Sequence, residues 1–115
     1  MKIYEYNNCG TCRQALKFLT ARGVKFTTVP IREQPPTPAE LKRMLEVYGG
    51  DVRKLFNTSG QNYQRLKLKD RIASMTAAEA IELLSNNGNL VKRPFAVTAR
   101  GGVVGFKEAE WDKLR

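Results

Sequence analysis

The chain has 115 residues, of which 42% are hydrophobic and 27% charged, and its formal net charge is +9 at pH 7. This length allows one hydrophobic core, and the composition is that of a globular protein rather than of a disordered or fibrous one. The sequence contains no histidine, which excludes histidine-dependent catalysis and histidine-ligated metal sites. No stretch has the apolar length of a signal peptide or a membrane span, so we expect a single cytoplasmic domain over residues 1–115.

The first part of the chain predicts a strand, a tight loop and a helix. Residues 2–6 alternate and are rich in aromatic and β-branched side chains, as in a short strand. Gly23 stands where a left-handed C-cap would end a helix over residues 11–22. Side chains suited to one buried helical face recur within that range: Cys12, Ala15, Leu16, Leu19 and Thr20.

Residues 24–31 predict a second strand that ends near Pro30, because proline cannot donate a hydrogen bond to a strand ladder. One face of this strand would carry Val24, Phe26 and Thr28. A strand, a helix and a second strand in this order favour a parallel pair joined by a right-handed crossover.

Residues 37–50 carry the clearest helix pattern in the chain. Thr37 and Glu40 form a capping box, and Pro38 occupies the first helical position. We expect this helix to end at the glycine pair Gly49–Gly50.

Shorter elements are predicted after this helix. Residues 51–56 read as a short helix capped by Asp51. A second capping box, Thr76 with Glu79, predicts a helix that ends at Gly88.

Basic residues are densest in the segment YQRLKLKDR, residues 63–71. Its cations alternate with Leu66 and Leu68: they are Arg65, Lys67, Lys69 and Arg71. A solvated face beside two buried leucines explains this pattern better than a patch for nucleic acid or for an acidic partner does. We therefore do not expect direct nucleic-acid binding.

The last third of the chain predicts a hairpin. Residues 93–98 form a strand led by Pro94, residues 99–102 a turn, and residues 103–106 an antiparallel strand. Residues 107–115 then form a helix, and its side chains Trp111 and Leu114 are expected to pack on the sheet.

The complete order of elements is β-α-β, a helical insertion over residues 35–89, and β-β-α. With the insertion set aside, this is the order of a thioredoxin-like α/β fold, whose core would take residues 1–34 and 90–115. We expect its four strands to form one mixed sheet.

Cys9 and Cys12 lie between the first strand and the first helix. They could be a redox pair, half of a zinc site or two buried apolar side chains. A zinc site needs two more ligands, and the chain has no other cysteine and no histidine. The position between a strand and a helix favours the redox pair, because the helix N-terminus stabilises a Cys9 thiolate and Cys12 is placed to resolve a mixed disulfide.

Five further residues are candidates for this site. Gly10 would allow a tight loop, Thr11 can offer a hydroxyl or N–H group to an anion, and Arg13 adds positive charge. In a thioredoxin-like fold a cis Pro94 would face the thiol loop, and the guanidinium of Arg93 beside it could hold an oxyanion. Outside that fold, Pro94 would merely begin a strand and Arg93 would be a surface cation.

Five collinear motifs cover nearly the whole chain: YNNCGTCRQAL, PPTPAELKRML, VRKLFNTSGQNYQRL, KRPFAVT and VVGFKEAEW. Together they resemble the arsenate reductase and Spx-like family, a branch of the thioredoxin-like fold with a helical insertion. The resemblance implies a nucleophilic Cys9 in an anion-binding loop and an oxyanion-holding Arg93. By its length the chain is similar to short members described as glutathione-linked thiol reductases.

The arginine set of the arsenate reductases is incomplete in this sequence. Those enzymes surround arsenate with further arginines, and the best-matching positions here are Asn57 and Phe106, with Ser59 and Lys107 as neighbours. Efficient arsenate reduction is therefore not expected.

The resemblance implies two functions. One is a monomeric thiol-disulfide oxidoreductase without a tightly bound cofactor, in which Cys9 attacks, Cys12 resolves, and glutathione with glutaredoxin, or thioredoxin, supplies electrons. The alternative is an Spx-like redox-sensing regulator that binds the C-terminal domain of the RNA polymerase α subunit. Gly49–Gly50 matches a glycine of that contact, although such regulators continue past the hairpin with a longer helical segment.

Overall fold

The computed structural model of the protein describes residues 1–6, 9–58, 61–65, 67–99 and 101–114. The strands are β1 (Lys2–Glu5), β2 (Thr27–Pro30), β3 (Phe95–Thr98) and β4 (Gly101–Val104). They form one four-stranded sheet in the order β2-β1-β3-β4. The β1–β2 pair is parallel, and the β1–β3 and β3–β4 pairs are antiparallel. This mixed sheet, with its helical insertion, confirms the predicted thioredoxin-like fold.

The α-helices of the described chain are α1 (Gly10–Ala21), α2 (Pro38–Val47), α3 (Gln61–Arg65), α4 (Leu68–Ile72), α5 (Ala77–Ser85) and α6 (Glu108–Trp111). Short 3-10 helices cover Val52–Leu55, Gly88–Leu90 and Asp112–Leu114. Among the helices so described, none is long and apolar enough to cross a membrane.

The crossover helix α1 packs on one face of the sheet. Its buried side chains are Cys12, Ala15 and Leu19. Gly23 ends the helical segment at φ +70°, as predicted. Thr20, which the sequence assigned to the buried face, is exposed, and its hydroxyl donates to the carbonyl of Leu16 at 2.8 Å within the same helix.

The helices between β2 and β3 cover the opposite face of the sheet. Both predicted capping boxes are present, at the N-termini of α2 and α5. The predicted basic face is exposed and Leu68 beneath it is buried, whereas Leu66 lies outside the described residues. Together with Tyr4 and Phe95 of the sheet, the buried side chains of this layer form one cluster that includes Leu41, Met44, Leu45, Leu55, Phe56, Leu68, Ile72, Ala80 and Leu84.

Strand β2 is shorter than predicted and lies at an edge of the sheet. Thr28, which the prediction places on one face with Val24 and Phe26, is exposed. Thr28 lies beside Ile3 of β1, and the layer formed by α1 buries Ile3 completely but leaves the edge strand open. Val24 and Phe26 do pack on the α1 side, but they precede the strand.

The hairpin is also shifted from its predicted register. Thr98 pairs with Gly101, so β4 begins two residues earlier than predicted and the expected turn glycines belong to the ladder. A Cβ atom on Gly102 would lie 2.0 Å from the carbonyl oxygen of Ala96. Glycine is therefore required by the close approach of β3 and β4 rather than by a turn. Residue 100 of the connection lies outside the described residues.

Two further boundaries differ from the prediction. Strand β3 begins at Phe95 because Pro94 has no N–H group for the ladder. Helix α5 ends at Ser85 rather than at Gly88. The reason is local, because the side-chain amides of Asn86 and Asn87 donate to the carbonyls of Glu82 and Leu83 and so cap the last turn.

Two other predicted features are present, the cap at Asp51 and the packing of the C-terminal helix on the sheet. Asp51 caps the 3-10 helix Val52–Leu55 by accepting from the N–H group of Arg53 at 3.2 Å. Trp111 of α6 is buried on the sheet, and its indole N–H group donates to the carbonyl of Gly105 at 2.8 Å. The side chain of Leu114 and all of Arg115 lie outside the described residues.

Candidate active site

Cys9 is the N-cap residue of α1. Its sulfur accepts a hydrogen bond from the backbone N–H group of Cys12 at 3.1 Å, and its own N–H group donates to the carbonyl of Tyr6 at 3.0 Å. No acidic side chain stands in the first turn of α1. The positive end of the helix is therefore directed at the sulfur of Cys9 and at any anion that approaches it.

Cys12 differs from Cys9 in its environment. Both cysteines are free thiols, but Cys9 is partly exposed and Cys12 is 0% exposed. Burial raises the pKa of Cys12 to about 12, with a hydrogen bond to the Cys9 sulfur as the second cause. The geometry thus presents one reachable sulfur to solvent and keeps the other protonated beneath it.

Arg93 and Pro94 lie at the same end of the sheet. The Arg93–Pro94 peptide bond is cis, as predicted. Because Tyr4 pairs with Phe95, Arg93 comes alongside Tyr6 just beyond the end of β1. The guanidinium carbon of Arg93 lies 5.2 Å from the centroid of the Tyr6 ring.

One nitrogen of Arg93, Nη1, is buried and has no hydrogen-bond partner within the described part of the chain. Buried polar atoms are nearly always hydrogen-bonded in folded proteins, so an exception of this kind is typical of a ligand-binding group. A guanidinium nitrogen in this state favours a bound anion.

Arg32 is a second arginine at this place, and it was not among the site residues predicted from the sequence. Its Nη1 atom donates to the Tyr6 hydroxyl at 2.7 Å, and its guanidinium carbon lies 4.8 Å from the ring centroid. Tyr6 therefore contacts two guanidinium groups, and its backbone carbonyl accepts a hydrogen bond from the N–H group of Cys9. Arg32 reaches this position because β2 pairs with β1. No local sequence pattern predicts that Arg32 and Tyr6 meet.

A cleft of about 540 Å³ opens beside the thiol loop. Thr11 of the first turn of α1 lines one side, and Lys92 and Lys107 line others. Cys9, Cys12 and Arg93 are not among its lining residues. The structure therefore brings Thr11 to the cleft and places Arg93 with Tyr6 on a neighbouring side of the thiol loop.

Two other predicted site residues are less involved. Arg13 is exposed, and its backbone N–H group donates to the carbonyl of Cys9 at 3.1 Å. Gly10 is the first residue of α1, it is not among the residues with positive φ, and a Cβ atom there would meet nothing within 4 Å. The local backbone at Gly10 therefore does not depend on glycine, and a role of Gly10 in binding an anion stays a prediction.

The positions that match the additional arginines of arsenate reductases serve packing and backbone contacts. Phe106 makes edge-to-face contacts with Phe18 and Trp111, at centroid distances of 5.4 and 5.6 Å. Asn57 donates its backbone N–H group to the carbonyl of Leu90 at 2.7 Å. Ser59 lies outside the described residues, and Lys107 is exposed at the cleft.

Within the described ranges, no group of three or more cysteine, aspartate or glutamate side chains could hold a metal ion.

The family model described as ArsC family matches residues 4–114 of the chain. The chain belongs to the ArsC family. YusI of Bacillus subtilis (strain 168) is 42% identical over 113 residues, which cover 98% of this chain and 96% of YusI. The regulatory protein MgsR of the same organism is 30% identical over 114 residues, which cover 99% of this chain and 89% of MgsR.

Solved structures of ArsC-family proteins share this fold. The crystal structure of an ArsC family related protein from Bacteroides fragilis matches with a TM-score of 0.92 and 44% identity, over 99% of this chain and 97% of that chain. Other relatives are named arsenate reductase or global transcriptional regulator Spx. The predicted family is confirmed, and it contains proteins named as enzymes and proteins named as regulators.

Proposed function

We propose that this ArsC-family protein is a cytoplasmic thiol-disulfide oxidoreductase. The observation that carries the proposal is the unequal cysteine pair, with a partly exposed Cys9 at the N-terminus of α1 and a buried Cys12 that donates its N–H group to the Cys9 sulfur. A nucleophilic thiol needs access and a stabilised anion, and a resolving thiol needs to be near but protected from solvent reagents.

The reaction proceeds in two exchange steps. The Cys9 thiolate attacks one sulfur of a disulfide R–S–S–R, the substrate S–S bond breaks, and RS⁻ leaves and takes up a proton. The product is a mixed disulfide between Cys9 and the remaining RS group. Cys12 then attacks the Cys9 sulfur, so that a second thiol leaves with the Cys12 proton and a Cys9–Cys12 disulfide remains.

The same geometry controls when Cys12 reacts. A negative charge on Cys9 contributes to the raised pKa of Cys12. That charge disappears when Cys9 enters the mixed disulfide, which makes deprotonation of Cys12 easier at the step that requires it. Two glutathione molecules, through glutaredoxin, or one thioredoxin would supply the two electrons that restore the dithiol. No tightly bound cofactor is required.

The experiment uses the reduced protein and bis(2-hydroxyethyl) disulfide, a neutral substrate. We expect Cys9→Ser to abolish turnover, whereas Cys12→Ser should accumulate a mixed disulfide on Cys9 that mass spectrometry detects. Recovery of the dithiol with glutathione plus glutaredoxin, or with thioredoxin plus its reductase, identifies the donor. Equal and mild effects of the two substitutions would contradict the assigned roles.

Arsenate is not the substrate we propose. Arg93 is present, but Asn57 and Phe106 offer no guanidinium group to complete the oxyanion site. We expect arsenate reduction to be negligible under conditions in which the neutral disulfide is turned over.

A second candidate function is a redox-sensing regulator that binds the C-terminal domain of the RNA polymerase α subunit. Relatives named MgsR and Spx are regulators. Gly49 and Gly50 have φ values of +67° and +85°, and a Cβ atom on either would meet nothing within 4 Å. They border an open groove of about 620 Å³ between α2 and α5, which Leu45 and Ile81 also line.

A pull-down with the isolated α C-terminal domain tests this candidate. Reduced and oxidised protein should differ in retention, and Ala78→Glu in the exposed groove should weaken it, whereas Ala109→Glu on the distant α6 should not. Absence of retention in both redox states would eliminate this function.

A further inference from the structure

We propose that the cleft beside Thr11 selects small disulfides that carry carboxylates. This inference rests on the proposed oxidoreductase function, and it adds the class of substrate and the residues that recognise it. The ligand would place its anionic groups in the cleft and one sulfur atom at Cys9.

The size and place of the cleft suit such a ligand. Its volume of about 540 Å³ falls within the range of about 300–1,000 Å³ that is usual for small-molecule sites. Thr11 lines it, and Thr11 belongs to the same helical turn that begins after Cys9. Cys9, the partly exposed member of the cysteine pair, is the residue directly before that helix.

The cleft carries an excess of positive charge. Its lining includes two acids, Asp51 and Glu110, and four cations: Arg53, Lys54, Lys92 and Lys107. Each acid already has a partner in the protein. Asp51 accepts from the backbone N–H group of Arg53 at 3.2 Å, and Glu110 accepts from the Tyr48 hydroxyl at 3.5 Å.

The four cations of the cleft have no carboxylate partner among the described ion pairs. The ion pairs between described residues are Lys2–Glu40 and Arg22–Asp112, and none of the four cleft cations takes part in them. Cations that line a concave surface without carboxylate partners raise the local concentration of anions.

Lys92 is the best positioned of these cations. Its backbone N–H group donates to the carbonyl of Leu55 at 2.7 Å, which fixes the chain directly before Arg93. Its side chain lies over Gly105, since a Cβ atom added there would be 3.2 Å from the Lys92 Cε atom. Lys107 follows Phe106 on the same wall, so the two ammonium groups border the ligand space together with the positive end of α1.

The first experiment compares three disulfides of similar size as substrates. They are 3,3′-dithiodipropionate, bis(2-hydroxyethyl) disulfide and cystamine, which are anionic, neutral and cationic. We expect kcat/KM to fall in that order. In the double variant Lys92→Gln/Lys107→Gln, the anionic-to-cationic ratio should fall by at least about fivefold, as expected for the loss of two charge contacts, one at the half-buried Lys92 and one at the exposed Lys107.

Lys25→Gln is the matched control, because Lys25 lines a different surface beside Met1 and Phe26. It removes the same charge from the protein and should leave the ratio unchanged. The wild-type ratio should also fall as ionic strength rises, since salt screens exposed charges. A ratio that is the same in the wild type and the double variant, with the neutral disulfide still turned over, would overturn the cleft proposal and leave the proposed function standing.

A second measurement does not depend on turnover. Cys9 is alkylated with iodoacetate, an anion, and with iodoacetamide, its neutral counterpart, and the ratio of the two rates is compared among the same variants. We expect the ratio to fall in the double variant and to be unchanged in Lys25→Gln. If none of the three disulfides is reduced but this ratio falls, the proposed function is wrong and the anion selectivity of the cleft stands; an unchanged ratio counts against the cleft itself.

Discussion

The N-termini of α1 and α2 show two uses of the same helix electrostatics. At α2, the protein supplies its own anion: Glu40 accepts from the backbone N–H group of Thr37 at 3.0 Å, from the Tyr4 hydroxyl at 2.6 Å, and pairs with Lys2 at 2.6 Å. At α1, no acid stands in the first turn and the capping atom is a thiol sulfur.

The difference separates a structural site at α2 from the site at α1 that we propose to be reactive. The partners of Glu40 are all internal, so the site joins α2 to β1 and has little left to offer a ligand. The α1 site has a buried Arg93 nitrogen without a partner in the described chain, and the unpaired cations of the cleft lie nearby. Contacts that are complete contribute to stability, and contacts left incomplete are available for function.

Arg93→Met gives the largest expected effect. Loss of the guanidinium should lower the rate of Cys9 attack on an anionic disulfide by about 10- to 100-fold, the usual value of one charge-assisted hydrogen bond. Stability should not fall, because a buried nitrogen without a partner is removed. The measurements are steady-state kinetics and urea unfolding.

Arg22→Met is the control for this substitution. Arg22 also lies over an aromatic ring, with its guanidinium carbon 3.8 Å from the Phe18 centroid, but it stands at the opposite end of α1 and pairs with Asp112. It should cost stability and leave the rate unchanged. If Arg93→Met lost as much stability as Arg22→Met, Arg93 would be a residue that stabilises the fold rather than one that binds a ligand.

Glu40→Gln tests the N-terminus of α2, where the protein itself supplies all the partners of the acid. We expect a loss of about 1–2 kcal/mol in the free energy of unfolding at pH 7, because a charge-assisted hydrogen bond and an ion pair are weakened together. Glu79→Gln is the control, since Glu79 makes the same capping contacts with Thr76 at α5. Equal losses in the two variants would show that the contacts of Glu40 with Lys2 and Tyr4 contribute nothing.

The contribution of Glu40 should depend on pH. Burial alone would raise the pKa of Glu40, but hydrogen bonds from Lys2, Tyr4 and the backbone of Thr37 lower it below its ordinary value. A lowered pKa in the folded state gives stability that is present above the ordinary value of 4.5 and is lost as pH falls through the folded value. Urea unfolding at acidic pH should therefore bring the wild type and Glu40→Gln together.

Thr11→Glu gives the N-terminus of α1 an acidic side chain of its own, as α2 already has. We expect this substitution to have the smallest effect on stability and on Cys9 reactivity. A carboxylate in the first turn of α1 should stabilise the protein by about 0.3–1 kcal/mol. It should also slow alkylation of Cys9 by iodoacetate relative to iodoacetamide, because it repels an incoming anion. Thr11→Gln, which adds the same bulk without charge, should do neither.

The features that the sequence predicted correctly are the local ones. Both capping boxes, and the position of Cys9 just before the first helix, depend on residues that are close in the sequence, so they can be predicted without the tertiary fold. The cis Pro94 was predicted only by assuming the fold, which the order of elements supported.

The features that the sequence did not predict require distant segments to meet. Arg32 contacts Tyr6 because β2 pairs with β1, and Lys92 and Lys107 come from separate segments that line one cleft. The register of the hairpin was predicted wrongly because its glycines were assigned to a turn. Gly102 is instead required by its close contact with the carbonyl of Ala96 on the facing strand.

Trp111 is placed to serve as an intrinsic fluorescent probe of the cleft. The chain has one tryptophan, it is 1% exposed, and its ring lies 5.6 Å from that of Phe106, which lines the cleft. Its indole N–H group is bonded to Gly105, another lining residue. Intrinsic fluorescence should therefore report both unfolding and occupancy of the cleft from a single emitter, without any label.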